Sequence, residues 1–577
     1  MSAMADPVVL TPRAGSSFAN RNLRERPAGH ARIAGASREL HADTRARLRA
    51  SLGNGTQILD AEPGALVADF DGCTLDGRAL TTLTELAAVI RDGRLAEVEG
   101  AFVVAWRDDA GDLHLARDAI GHRTAYYAEH AGELVFASHL AALLDAFELP
   151  RRIDLRSVAA FLSCAYIPGR ATMVQGVYEL LPSEQVSRRA SLSRRTLWAM
   201  PAEPANVAAT PDEASTLQVE LRAALERVIG TALPDGPVCA SLSGGIDSSL
   251  VVAIARRLHA HPVRTFSITF GDGYKNELAY SSIVAAHTGS EHHVVHLRAD
   301  TVIAHLDDTI ARMDKPNGDP LTVPNALLFQ AMSEFGDIAL NGEGGDPTFG
   351  GPKNLPMLLA ELYGNLDGEP DAFERERNFL RAHLKCFDEL PAMLTADSYA
   401  QACTPPLEQE IAPWFNDPRW PTFVGMLMAI NVQFKGGHHI LPKVDALAEP
   451  FGMLPRSPLF AKSIVELAFS IPATLKLSGS TEKHLLKESV RDLLPDTIVD
   501  RAKSGMLVPV EGWFQTTLAK EARARILDGL SGTRIFRREM LEQLLAGKQL
   551  GLRPRRGVKI WLLITLEAHL RALRLTL

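Results

Sequence analysis

The chain has 577 residues, 46% of them hydrophobic and 23% charged, an ordinary globular composition with length enough for two domains. Its net charge of −8 argues against a general nucleic-acid or anionic-membrane binder. No apolar run approaches the roughly eighteen residues of a membrane span. The five scattered cysteines form neither a CxxC nor a Cys/His cluster, which excludes a disulfide framework or zinc site and suits a reducing cytoplasm.

The first fifty residues carry nine arginines and four acids among Ala, Ser and Pro. They lack the apolar core of a secretory signal, so a flexible extension over 1–59 is expected, with an organelle transit peptide as the alternative. From 60 to 198 the runs LVADF (66–70), GAFVVAWRD (100–108), DLHLARD (112–118), TAYYAE (124–129) and ELVFASH (133–139) predict short strands separated by turn residues. That pattern suggests packed antiparallel sheets, a β-sandwich. Residues 199–215, rich in Pro and Ala, are read as a linker.

After 216 the pattern changes to alternation. TLQVELRAALERVIGTAL (216–233) predicts a helix, PVCASL (237–242) a buried strand and SSLVVAIARRLHA (248–260) a helix. VRTFSITF (263–270) predicts a strand, SSIVAAHTG (281–289) a helix and DIALN (337–341) a strand. Alternating strands and helices predict a parallel sheet covered on both faces. Residues 355–577 are mostly helical in pattern, ending in KIWLLITLEAHLRAL (559–573).

The chemistry lies in Ser243-Gly244-Gly245-Ile246-Asp247-Ser248-Ser249, between a buried strand and a helix. Glycines let backbone approach a ligand closely, and a helix N-terminus offers N–H groups and a positive dipole end to phosphate. Serine hydroxyls add donors. A carboxylate at Asp247 would repel phosphate unless a cation stood between them, which implies Mg2+. No GxxxxGK[ST] motif is present, and SGGxDS resembles instead the PP-loop of enzymes that cleave ATP between its α- and β-phosphates.

Longer segments resemble the asparagine synthetase superfamily. They are FSITFGDGYKNELAYSSIVAAHTGSEHH (266–293), MDKPNGDPLTVPN (313–325), NGEGGDPTFGG (341–351), STEKHLLKESVRDLLP (480–495) and DRAKSGMLVPVEGWF (500–514). RDAIGHRTAYY (117–127), FASHLAALL (136–144) and GVYELLP (176–182) are similar to pieces of its N-terminal half. The resemblance implies a glutaminase-like αββα β-sandwich over 60–198, then an ATP-pyrophosphatase α/β domain with a parallel sheet and a helical C-terminal region over 216–577. It implies ATP contacts from Ser241, Ser243, Gly244, Gly245, Asp247, Ser248, Ser249, Ser267, Ile268, Gly342 and Gly344. Asp247 and Asp346 would hold Mg2+, Lys503 would stabilise charge on the reacting carbonyl and phosphates, and Lys483 would meet the pyrophosphate.

Departures from the family narrow the expectation. Its glutamine-dependent members begin Met-Cys, whereas Ser2 follows Met1 here. FNGEIYN has become FDGCTLDG (70–77), where Cys73 is read as an ordinary small loop or core residue. The N-terminal half is therefore expected to be an inactive relic. GGDELFGGY has become GGDPTFGGPKN, placing Pro347 and Pro352 where the family has Glu and Tyr. GLEARVPFLD has become GMLPRSPLFA (452–461), so Leu454 and Ala461 stand where the family has acids. By the resemblance, loss of the glutamate at Leu454 points away from both the aspartate and the β-lactam-forming substrates of the family. The expected function is an ATP-dependent ligase joining a carboxylate to an amine, as lasso peptide cyclases do. A leader peptidase and a precursor-binding protein would be its partners. An ammonia-dependent asparagine synthetase, a β-lactam synthetase-like enzyme and a dead nucleotide-binding scaffold remain as alternatives. In KGGHHILPK (435–443), His438 or His439 is either a base for the amine or a polar helix-end residue.

Overall fold

The computed structural model describes residues 7–11, 31–53, 55–274, 276–351, 373–501, 505–547 and 555–577. The chain opens on a short strand, β1 (Val8–Leu10), considered below with the second half. The N-terminal half then packs two sheets face to face. One contains β2 (Ile33–Ala36), β3 (Gln57–Ile58), β8 (Tyr126–His130), β9 (Glu133–Ala137) and β10 (Val177–Glu179), in the order β10-β8-β9-β2-β3. The other contains β4 (Leu66–Leu75), β5 (Arg78–Ala79), β6 (Glu99–Arg107), β7 (Leu113–Arg117), β11 (Glu184–Arg188) and β12 (Leu192–Thr196), in the order β12-β11-β7-β6-β4-β5.

The period of two along each strand builds the layers. In β6, Val103 and Ala105 point between the sheets, where they meet Leu115, Tyr127, Leu134 and Phe136. Phe102 and Val104 point the other way, onto Leu86 and Val89 of helix α2 (Leu83–Arg91). The outer face of the first sheet is covered by α1 (Ala42–Leu52) and α3 (Leu140–Ala146), through Leu48, Leu52, Leu140 and Leu143. The result is the αββα sandwich implied by the family resemblance.

The expected flexible extension over 1–59 is corrected over its second half. Ile33–Ala36 lies inside the sheet between β9 and β3, and α1 follows it. IAGA has one β-branched residue and carries little strand signal, but small residues are what this place demands. A Cβ on Gly35 would lie 2.8 Å from both Leu59 Cβ and Phe136 Cε1. Residues 1–6 and 12–30 of that expectation, Ser2 included, lie outside the described residues.

The linker also ends earlier than expected. After α4 (Leu155–Cys164), helix α5 spans Pro211–Thr231. Its N-terminus is set by Thr210, whose side chain accepts from Glu213 N while Glu213 reaches back, with Pro211 opening the first turn.

The second half is built on a six-stranded, all-parallel sheet. It holds β1, β13 (Val238–Ser241), β14 (Val263–Thr269), β15 (Glu291–His296), β16 (Ile338–Leu340) and β17 (Leu454–Arg456), in the order β1-β15-β14-β13-β16-β17. Helices α6 (Ile246–Leu258) and α7 (Leu278–Thr288) are crossovers of this sheet. From β13 the chain moves outward one way to β14 and β15, and later the other way to β16 and β17. The crevice where that direction reverses, at the carboxyl ends of β13 and β16, is where open α/β sheets bind ligands. The rest is mainly helical, closing with Arg556–Ala572. Among the described residues no helix is long and apolar enough to cross a membrane.

Candidate active site

The loop from β13 to α6 occupies that crevice. Ser248 Oγ accepts from Ser243 N at 3.1 Å, lies 3.1 Å from Ser243 Oγ and donates to Gly245 O at 3.3 Å. Gly245 N donates back to Ser243 Oγ at 3.3 Å, so the serines fold the loop onto the helix start. Gly244 has φ +74°, and a Cβ there would meet Ser281 N and Tyr280 Cβ at 2.5 Å. Only glycine fits both the conformation and the space. Ser241 ends β13 opposite Phe266, and Ser267 Oγ donates to Leu242 O, tying β14 to the base of the loop. Ile268 is buried beside it, as is Ser249 at the start of α6.

The loop after β16 presses against the same helix start. A Cβ on Gly342 would lie 2.4 Å from Ser248 N, and one on Gly345 would lie 2.1 Å from Asp247 Oδ1. Gly344, at φ +107°, turns the chain beside Leu459. This close approach brings Asp346 beside Asp247, and Lys483 stands between them. Its Nζ is 2.7 and 2.6 Å from the two Asp247 carboxylate oxygens and 2.5 Å from Asp346 Oδ1. The lysine is 1% exposed. It sits at φ 54° at the head of the short helix His484–Ser489.

The donor set fits Mg2+. Two carboxylates from different loops converge on one cationic point, and Mg2+ commonly takes one or two carboxylates with phosphate oxygens completing its shell. Among the described residues no group of three His, Cys, Asp or Glu side chains is arranged for a metal.

Sequence reasoning passed over Arg501, although it lies in a quoted motif. Its Nη1 donates to Gly244 O at 3.1 Å, its Nη2 pairs with Glu277 Oε1 at 2.5 Å, and its guanidinium stacks 3.7 Å above the Tyr280 ring. Arg501 therefore ties the Gly244 carbonyl of the loop to Glu277 and Tyr280 at the start of α7. Lys503 lies outside the described residues.

The remaining candidates fall elsewhere. His438 and His439 lie in a π-helical stretch, Asn431–Ile440, within a helix continuous from Phe423 to Ala448. Burial pushes the His438 imidazole down to about 4, against the pull of Glu179, whose carboxylate it meets at 3.2 Å. His438 thus lies inside this helix rather than at a helix end, and meets Glu179 of the N-terminal half. His439 meets Asn317 at 3.3 Å and packs against Tyr166. Burial opposes ionisation of Glu179, yet Lys315, Arg117 and His438 outweigh it and hold the carboxyl far below the usual range. Cys73 is 1% exposed, and burial together with Asp118 and Asp71 raises its thiol far above the usual range. Leu454, where the family has glutamate, is a buried residue of β17 paired with Ile338.

A strand–loop–helix turn at the switch point of a parallel sheet, preceded by an αββα sandwich, is the two-domain architecture that the family resemblance implies. The family model for asparagine synthase matches residues 220–571, and that for a glutamine amidotransferase domain matches residues 82–198. The chain belongs to the asparagine synthase family. Among its relatives, a glutamine-hydrolyzing asparagine synthetase 1 of Bacillus subtilis is 24% identical, over 77% of this chain and 73% of that one. A putative glutamine-hydrolyzing asparagine synthetase of Mycobacterium bovis is 26% identical, over 73% and 69%. As a member of this family the chain is an ATP-dependent carbon–nitrogen ligase.

Proposed function

We propose that this ligase adenylates the carboxylate of a substrate other than aspartate and joins it to an amine without hydrolysing glutamine, a lasso-type macrolactam cyclisation being its narrowest form. The observation that carries the ATP half is the convergence of Asp247 and Asp346 beside the Ser243–Ser249 loop. Bound between them, Mg2+ would neutralise charge on the triphosphate and polarise it. Ser243 and Ser248 hold the loop in shape, and the N-terminus of α6 faces the phosphates. With Mg2+ bound there, Lys483 would turn its Nζ from the carboxylates to the departing pyrophosphate.

In the first step a substrate carboxylate oxygen bonds to the α-phosphorus, and the bond to pyrophosphate breaks. In the second, an amine nitrogen bonds to the acyl carbon, the bond to AMP breaks and the amine loses a proton. The gain comes from positioning two reactants and keeping water from the adenylate. Leu454 supports a substrate other than aspartate, because an apolar side chain in a β-strand offers no carboxylate at the family's acidic position. The altered loop FDGCTLDG, which lacks the family's Asn and Glu and buries Cys73, supports loss of glutamine hydrolysis. If the acceptor is a peptide, a leader peptidase and a precursor-binding protein are the expected partners.

The test is AMP and pyrophosphate release from MgATP by the purified chain, with aspartate plus ammonia, with glutamine, and with linear peptides carrying a side-chain carboxylate. Release with peptides alone is the expected result. Asparagine formed in step with AMP would restore a plain synthetase, and glutamate formed from glutamine would overturn the loss of the first activity.

A further inference from the structure

Strand β4 carries two acids on one face, Asp69 and Asp71, and each meets an arginine. Asp71 stands where β4 slips against β6, the register shifting between Asp71 and Thr74. Such a bulge re-aims side chains out of a ladder, and this one aims Asp71 into the second half. Arg456, the last residue of β17, donates from Nε to Asp71 Oδ2 at 3.1 Å and from Nη2 to Asp71 Oδ1 at 2.9 Å. Its Nη1 donates to Ala232 O at 2.8 Å, just past the end of α5. A planar fork on a carboxylate is a strongly oriented contact.

The other side of Arg456 leads to the nucleotide loop. Its carbonyl accepts from Asn341 N at 3.1 Å, and Asn341 Oδ1 accepts from Glu343 N at 3.0 Å. Between these two residues lies Gly342, which packs on the backbone of Asp247 and Ser248. One side chain and one strand end thus separate the N-terminal sheet from the loop that carries Asp346. Asp71 and Arg456 also line an open cavity of about 440 Å3 with Gly72, Glu99, Arg227 and Pro455. Changes to the pair therefore open toward solvent rather than leaving a sealed void.

We propose that Asp71 and Arg456 are a positioning pair through which the N-terminal half sets the 341–346 loop and hence the affinity for MgATP. The inference rests on the ATP site proposed above and gives the sandwich a role in that site. It is tested on the full chain by calorimetric titration with MgATP, alongside thermal melting. Asp71→Ala should weaken MgATP by about fivefold or more, the scale of a modest coupling between sites, with a melting temperature close to that of the parent. Asp71→Glu, and the exchanged pair Asp71→Arg with Arg456→Asp, should recover most of the loss. Should Asp71→Ala fold poorly, Asp71→Asn keeps the shape while removing the charge and should show the same direction of change. Unchanged MgATP affinity in a folded Asp71 variant overturns the inference and leaves the ATP site standing. Failure of the parent chain to bind MgATP overturns both.

Discussion

Lys483 adopts a left-handed conformation with φ 54°, uncommon for a residue with a side chain. Its ammonium answers two carboxylates at once. Removing the ammonium leaves Asp247 and Asp346 facing each other, and breaking a buried pair in this way costs about 3–5 kcal/mol. Lys483→Met should therefore lower the melting temperature, and millimolar Mg2+ should raise it again by more than in the parent protein. Equal responses to Mg2+ in the two proteins would place the metal elsewhere. His139 is a second case of charge set by surroundings. Its ring nitrogens meet Asp314 at 3.1 Å and Glu449 at 3.3 Å, across the boundary between the halves. Burial disfavours its charge, but Glu449 and Asp314 prevail and raise its pKa from 6.5 to about 10. The stabilisation is thus complete below pH 6.5 and is lost as the pH rises towards 10. The urea midpoint of His139→Gln should fall short of the parent's by most at pH 6 and by least at pH 10.

At the scale of elements, the proposed nucleotide site depends on how closely two loops approach. A side chain on Gly342 would strike the backbone of Ser248 and Asp247, which has no free rotation to yield. Gly342→Ala should abolish detectable MgATP binding while leaving the far-ultraviolet circular dichroism unchanged. Binding at the parent's affinity would mean that the loops are farther apart in solution. This element was also the most legible in the sequence. SGGIDSS announces itself because glycines, serines and an acid fall between a short buried strand and a long apolar helix. IAGA in β2 gave no such signal, since its small residues are selected by the neighbours Leu59 and Phe136 rather than by strand propensity. The early start of α5 was missed for a different reason. Proline and alanine after Thr210 suggest a linker by composition, but Pro211 at the first helical position and Glu213 in a capping box open a helix.

Across the whole molecule, the two halves are joined by buried charge. Arg117 pairs with Glu179 at 2.9 Å and donates to Gly437 O at 3.0 Å, while Lys315 reaches Glu179 at 2.6 Å. Glu179→Ala would strand Arg117 and Lys315 without their carboxylate, at a cost of about 3–5 kcal/mol. It should lower the denaturation midpoint of both halves together, whereas independent halves would show one transition moved and the other fixed. No sequence period reveals pairs 136 or 385 residues apart, such as Lys315–Glu179 and Arg456–Asp71. For that reason the motifs told of an ATP loop but not of the sandwich's hold on it. The most direct measurement of the ATP site is calorimetric titration of MgATP into the parent chain and into the Asp247→Asn, Asp346→Asn double variant, each with and without Mg2+. Magnesium-dependent binding by the parent and none by the variant is the result expected from two carboxylates closing on one metal–triphosphate. Equal binding by both proteins, or binding by the parent that ignores Mg2+, would contradict it.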